Sequence, residues 1–213
     1  NVESQVISGV PEQVIADIAA QEHIDYTVVA PRQHSKIESF IWGSTSNKLR
    51  SINKSSTLIL RDHLGHDKLE HVLIGYDGSK PSIYALEQAV KDLQMKENNV
   101  KVTVANILSI PPAISLISPS GVMSAIATNL KLEGEVVIAE ALTRLKNLGI
   151  ENYEPKVFMG DPATKLNALA ETIDAQLIVV GSQGHSSLEH AIMGSVAERV
   201  TTHAKCSVLM IRH

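Results

Sequence analysis

His71-Val72-Leu73-Ile74-Gly75-Tyr76-Asp77-Gly78-Ser79 is the stretch on which the fold turns. A short apolar run closed by Asp77-Gly78-Ser79 reads as a strand buried on both faces and followed by a turn. Ile83, Leu86, Ala89, Val90 and Leu93 then recur at helical spacing. Working outward, the pattern repeats. Residues 100–108 hold β-branched positions of a second strand, and 109–121 form a Pro- and Gly-rich loop. Residues 123–148 read as a long helix stopped at Gly149. A third strand over 154–159 turns at Gly160-Asp161-Pro162 into a helix reaching about Ile173. A fourth strand over 176–180, a loop over 181–193, a helix over 194–204 and a last strand over 207–211 complete the unit. Strands alternating with helices predict an α/β fold, a doubly wound parallel five-stranded sheet of Rossmann-like type. Ligands in such sheets sit beyond the carboxyl ends of the strands, at the switch point.

The loop after the fourth strand carries the chemistry. It runs Gly181-Ser182-Gln183-Gly184-His185-Ser186 to Met193-Gly194-Ser195-Val196, a Gly-x2-Gly-x9-Gly-Ser spacing. Gly181 lets backbone approach a ligand, and Gly184 is free to turn left-handed and build an amide nest for an anion. Gly194-Ser195 opens a helix, whose free amides attract phosphate. A structural reading stands beside this one: Ser195 to Glu198 fits a capping box, and Asp77 fits an N-cap for the helix behind it. The loop has neither the Gly-Lys-Ser/Thr of a Walker loop nor the dinucleotide fingerprint, and no Lys or Arg lies between Gly181 and Glu198.

A gapless repeat precedes this unit. Residues 6–61 slide onto 157–212 at an offset of 151: Val6 on Val157, Gly9 on Gly160, Pro11 on Pro162, Gly43-Ser44 on Gly194-Ser195, Leu58 on Leu209 and Arg61 on Arg212. Residues 1–62 therefore read as the C-terminal half of a second copy, 63–70 as a polar linker and 71–213 as the complete unit. The front half of the first copy is expected upstream of Asn1, or from a partner chain. Ala30 and Gln33 replace the two loop glycines in the first copy, and Asn47 replaces Glu198, so that copy is expected not to bind nucleotide.

Together, the Gly-x2-Gly-x9-Gly-Ser loop and the opening 72–79 resemble the universal stress protein family, over residues 71–213 in full and 1–61 in part. The resemblance implies an adenine nucleotide alpha hydrolase-like fold that binds ATP with Mg²⁺ or Mn²⁺. Asp77 would contact the adenosine, with Gly75 beside it, and Ile107 would line the adenine pocket. Gly181, Ser182, Gln183, Gly184, His185, Ser186, Gly194, Ser195 and Val196 would surround ribose and phosphates, and Gly160 would approach from its turn. It also implies pairing through the last strands, as a pseudo-dimer within the chain and in a homodimer, and an unidentified regulatory protein partner. The expected role is nucleotide-dependent regulation under stress with at most slow hydrolysis. An ATP-using enzyme of pyrophosphatase or adenylyl-transfer type, or an interaction module without nucleotide, are the alternatives.

Composition narrows the classes. The chain has 213 residues, is 44% hydrophobic and 20% charged, and carries a net charge of −4 with two Phe, four Tyr and one Trp. That is a poor composition for a nucleic-acid binder. No apolar run reaches the ~20 residues of a membrane span. The lone Cys206 cannot form an internal disulfide and fits a reducing cytoplasm. The histidines lack metal-ligand spacing: His63 and His66 fall in the polar linker, and His185 and His190 have no carboxylate on the same helix face.

Overall fold

The structure, a computed structural model, describes residues 2–30, 55–61, 68–109, 120–184 and 193–213. The described residues form seven strands: β1 (Tyr26–Val29), β2 (Ser56–Ile59), β3 (His71–Gly75), β4 (Lys101–Leu108), β5 (Tyr153–Met159), β6 (Leu177–Gly181) and β7 (Ser207–Ile211). Five helices accompany them among the described residues: α1 (Pro11–Gln21), α2 (Lys80–Asp92), α3 (Ser120–Asn147), α4 (Pro162–Thr172) and α5 (Ser195–His203). All strands belong to one sheet in the order β1-β2-β7-β6-β3-β4-β5. The sheet has two strands more than the five expected of residues 71–213, and both come from residues 1–62. β3 to β7 are mutually parallel, as the alternation predicted, and β1 and β2 extend their sheet past β7. The extension arises because the last apolar strand of each segment offers a free edge, and the two edges satisfy each other.

β3 shows why the sheet is covered on both sides. Val72, Leu73 and Ile74 are all fully buried. Alternation sends Val72 and Ile74 to one face, against Leu86 and Ala89 of α2 and Ile138, Ala141 and Leu145 of α3. Leu73 points to the other, against Leu166 and Leu169 of α4 and Ala197 and Val200 of α5. The crossover from β5 back to β6 passes over β3 and β4. This makes the switch point, with β3 bonded to β4 on one edge and β6 on the other.

Helix ends follow local chemistry, with two corrections. α2 is capped by Ser79, whose side chain accepts from Ser82 N, and not by Asp77. α5 is capped by Gly194 without a side-chain bond, so Ser195 is already the first helical residue and the expected capping box does not form. α3 begins at Ser120, three residues before the expected start, and Gly149 stops it at φ 78 with Ile150 N donating to Leu145 O at 2.9 Å. The glycine inside α3, Gly134, marks a close crossing: a Cβ there would stand 2.7 Å from Leu108 Cδ1 and 3.0 Å from Val157 Cγ1.

β2 and β7 meet antiparallel, pairing Thr57 with Met210, Leu58 with Leu209 and Ile59 with Val208. Backbone bonds to side chains flank this seam: Arg61 N donates to Ser207 Oγ at 3.0 Å, and Arg212 N to Ser56 Oγ at 3.2 Å. Tyr26 Oη donates to the Asp92 carboxylate, which also accepts from Gln88, so β1 is tied to α2 as well. Burial and the neighbouring carboxylate push the Tyr26 hydroxyl well above the usual phenol range.

Candidate functional site

The carboxyl ends of β3, β4, β5 and β6 form a rim, and the predicted residues are distributed along it. After β3, Tyr76 N donates to Ala105 O at 2.9 Å and Asn106 Nδ2 donates to Tyr76 O at 2.8 Å. These bonds fix the backbone just before Asp77. Asn106 is 3% exposed, and sequence reading missed it; a polar residue inside the apolar run of β4 was the available signal. Gly78 follows at φ 80. Asp77 Oδ1 accepts from Ser79 N at 3.0 Å and from Ser79 Oγ at 2.5 Å. The Asp77 carboxylate is therefore aimed by the same serine that caps α2.

The loop after β6 comes over this carboxylate. A Cβ on Gly184 would lie 2.8 Å from Asp77 Oδ2, so the Gly184 backbone rests against the acid. Gly184 does not adopt the left-handed conformation expected of it; the described glycines at positive φ are Gly9, Gly78, Gly149 and Gly160. Close approach, not turn geometry, is what requires a glycine there. Gly181 has a different reason: a Cβ would meet the Pro81 carbonyl carbon and oxygen at 2.9 Å, so the loop crosses the first turn of α2. Ser182 N donates to Ile211 O at 2.8 Å, and Gly194 N donates to Ser182 O at 2.7 Å. Ser182, Gln183, Gly184 and Gly194 are thus drawn together, with a Cβ on Gly194 coming 3.4 Å from Gln183 Cα. Among the described residues nothing accepts the amide hydrogens of Ser195, Val196 and Ala197, while Glu198 N is spent on Gly194 O. Three donors at the positive end of α5 are therefore without an acceptor among the described residues.

The remaining predicted residues lie further along the rim. The β3–β4 register pairs Gly75 with Ala105, which puts Ile107, half-buried, level with Asp77. Gly75 itself faces packing: a Cβ would stand 3.1 Å from Leu166 Cδ1 and 3.3 Å from Val180 Cγ1. Gly160 closes β5 at φ 137, with its N donating to Leu108 O at 2.9 Å. His185 and Ser186 lie outside the described residues, as do His190, His63, His66 and the substituted loop of the first segment beyond Ala30.

An ion pair that the sequence did not announce braces α5. Arg199 Nη1 donates to Asp161 Oδ2 at 2.6 Å and Nη2 to Oδ1 at 2.8 Å. Asp161 Oδ1 also accepts from Thr164 N at 2.9 Å, capping α4. Arg199, with help from Thr164, pulls the Asp161 carboxyl down to about 2. Burial pushes the Cys206 thiol up to about 11, in keeping with an inert core residue. Among the described residues no cluster of three His, Cys, Asp or Glu is placed to hold a metal, and no helix is long and apolar enough to cross a membrane.

The model of the universal stress protein family matches residues 1–61 and 68–212. A universal stress protein of Methanocaldococcus jannaschii is 32% identical over 151 residues, covering 70% of this chain and 85% of that one. Among solved structures, a universal stress protein from Archaeoglobus fulgidus is similar at TM-score 0.58 and 24% identity, over 92% of this chain and 63% of that one. One from Lactobacillus plantarum is similar at TM-score 0.57 and 20% identity, over 69% of this chain and all of that one. These structures share the fold, and the family match spans nearly the whole sequence: the chain belongs to the universal stress protein family.

Proposed function

We propose that residues 71–213 bind an adenine nucleotide, ATP, at the rim between β3 and β6, and that the chain acts as a nucleotide-dependent stress or regulatory protein. One observation carries this reading. Gly184 rests on the Asp77 carboxylate while Gly194 is bonded to Ser182, so an acid suited to the adenosine moiety and the open amides of α5 share one rim. Backbone N–H groups at a helix start suit phosphate, and a carboxylate suits sugar hydroxyls or a base amine. Among the described residues the Asp77 carboxylate is the charged oxygen group at this rim. Such a sparse oxygen set suits Mg²⁺ or Mn²⁺ only when phosphate oxygens and water complete the shell. Bound there, the ion would supply the positive charge that the loop lacks. The residues described position and bind; at most slow hydrolysis is expected of them.

The same proposal divides the chain at 1–62, 63–70 and 71–213, with the first segment a degenerate half unit. The seam supports this. With an offset of 151, Leu58 and Leu209 are equivalent positions, and they pair with each other. Thr57–Met210 and Ile59–Val208 are the two images of one contact, as an internal two-fold requires. We read the seam as a pseudo-dimer contact, and place the protein in the cytoplasm on the strength of the buried Cys206 thiol. The test is mass spectrometry of gently purified protein, followed by calorimetric titration with ATP and Mg²⁺. Co-purifying nucleotide and roughly micromolar binding are expected. Absence of nucleotide together with no thermal shift at millimolar ATP would overturn the reading.

A further inference from the structure

We infer that Arg61, which belongs to the first segment, is a positioning residue for the nucleotide cradle of the second; the inference rests on the nucleotide reading above. α5 has nine residues, too few to hold a helical shape without tertiary support. Its position is therefore set by what grips it. Near its start the grips are Gly194 N on Ser182 O and Arg199 on Asp161. At its other end, Arg61 Nη2 donates to Thr201 O at 2.8 Å. That carbonyl is one of the last four of the helix, which have no acceptor role inside it. A cation is also the favoured charge at that end of the helix dipole.

Arg61 is not a surface residue that happens to reach over. It is 5% exposed, lies two residues past the end of β2, and its own N–H is bonded to Ser207 on the facing strand. One residue thus touches both the seam and the helix whose first three amides have no acceptor among the described residues. A shift of the first segment against β7 pulls on α5, and a phosphate drawing in the start of α5 pulls on the seam. By linkage these are the same coupling, read from either side. The first segment, expected not to bind nucleotide itself, acquires a role: it sets how well its neighbour holds phosphate.

The experiment uses the full chain and two variants, Arg61→Met, which keeps length without donors, and Arg61→Lys, which keeps a charged donor. Affinities for ATP with Mg²⁺ and for adenosine are measured by calorimetry. Arg61→Met should weaken ATP about five-fold and leave adenosine within about two-fold, because adenosine has no phosphate to lose. Arg61→Lys should recover most of the difference. Unchanged ATP affinity in Arg61→Met, or equal loss for both ligands, overturns the inference and leaves the nucleotide reading standing. A wild-type chain that takes up neither ligand removes both. Should Arg61→Met fail to fold, hydrogen exchange on the wild type decides. ATP, and not adenosine, should slow exchange at the bonded amides of Leu60 and Arg61; equal rates with either ligand overturn the coupling.

Discussion

Two alanine substitutions three positions apart in one loop, Gly184→Ala and Gly181→Ala, are expected to fail in opposite ways. In Gly184→Ala the new methyl stands 2.8 Å from Asp77 Oδ2, several tenths of an ångström inside contact. The obstructing atom is the end of a side chain, so it can swing away. Swinging breaks the bonds from Ser79 N and Ser79 Oγ to the same carboxylate. Stability should fall by no more than about 1 kcal/mol, or roughly 2–4 °C in melting temperature for a chain of this size. ATP affinity should fall about ten-fold, since the acid no longer points at the rim. In Gly181→Ala the methyl meets the Pro81 backbone at 2.9 Å, and backbone at the start of a helix cannot step aside. Overpacking of that kind costs about 1–3 kcal/mol, and the melting temperature should drop by roughly 2–12 °C. Differential scanning fluorimetry and calorimetry on the two variants separate the cases. If Gly184→Ala melts as low as Gly181→Ala, or binds ATP like the wild type, the assignment of these glycines to different jobs is wrong.

Other consequences can be measured directly. Asp161→Ala removes the α4 cap and the partner of Arg199, and should cost about 1–2 kcal/mol at neutral pH. Because the native carboxyl is held near 2, its contribution is present above the unfolded value of about 4 and lost as pH falls through the native one. Wild type and variant should therefore draw together in melting temperature on titrating from about pH 5 toward about pH 1; a gap as wide at the acid end as at neutral pH contradicts the pairing. Cys206, with its thiol near 11, should be alkylated in the native state roughly a hundred-fold more slowly than in urea at pH 8. Equal rates would show the last strand to be exposed. Ile59→Ala, at a fully buried seam position, should cost about 2–5 kcal/mol. A cost under about 1 kcal/mol, seen in urea melts, would mean that the seam is loose.

Apolar runs made the strands readable: 72–74, 177–180 and 207–211 are buried in the structure much as their composition demands. Gly149 and Pro162 likewise fixed the ends they were expected to fix. What the sequence concealed was competition between neighbouring candidates. Asp77 and Ser79 are both good caps, and the cap went to Ser79 because Asp77 is two residues too early and instead accepts from Ser79. Ser195 and Gly194 compete in the same way. There the Gly194 amide is held by Ser182 O, which starts the helix one residue sooner. The spacing of Gly181, Gly184 and Gly194 was legible, but their separate reasons were not, since these depend on Pro81 and Asp77, about a hundred residues away. Long-range polar partners such as Arg199 with Asp161, or Arg61 with Thr201, leave no trace in local periodicity.

The antiparallel seam reverses chain direction in the middle of one continuous sheet. β1 and β2 consequently deliver their carboxyl ends to the end of the sheet remote from Asp77 and Gly184. A body seated beyond the carboxyl ends of β1 and β2 would therefore lie at the opposite end of the sheet from a ligand at Asp77, without competing with it for space. Such a sheet can be held at one end and loaded at the other.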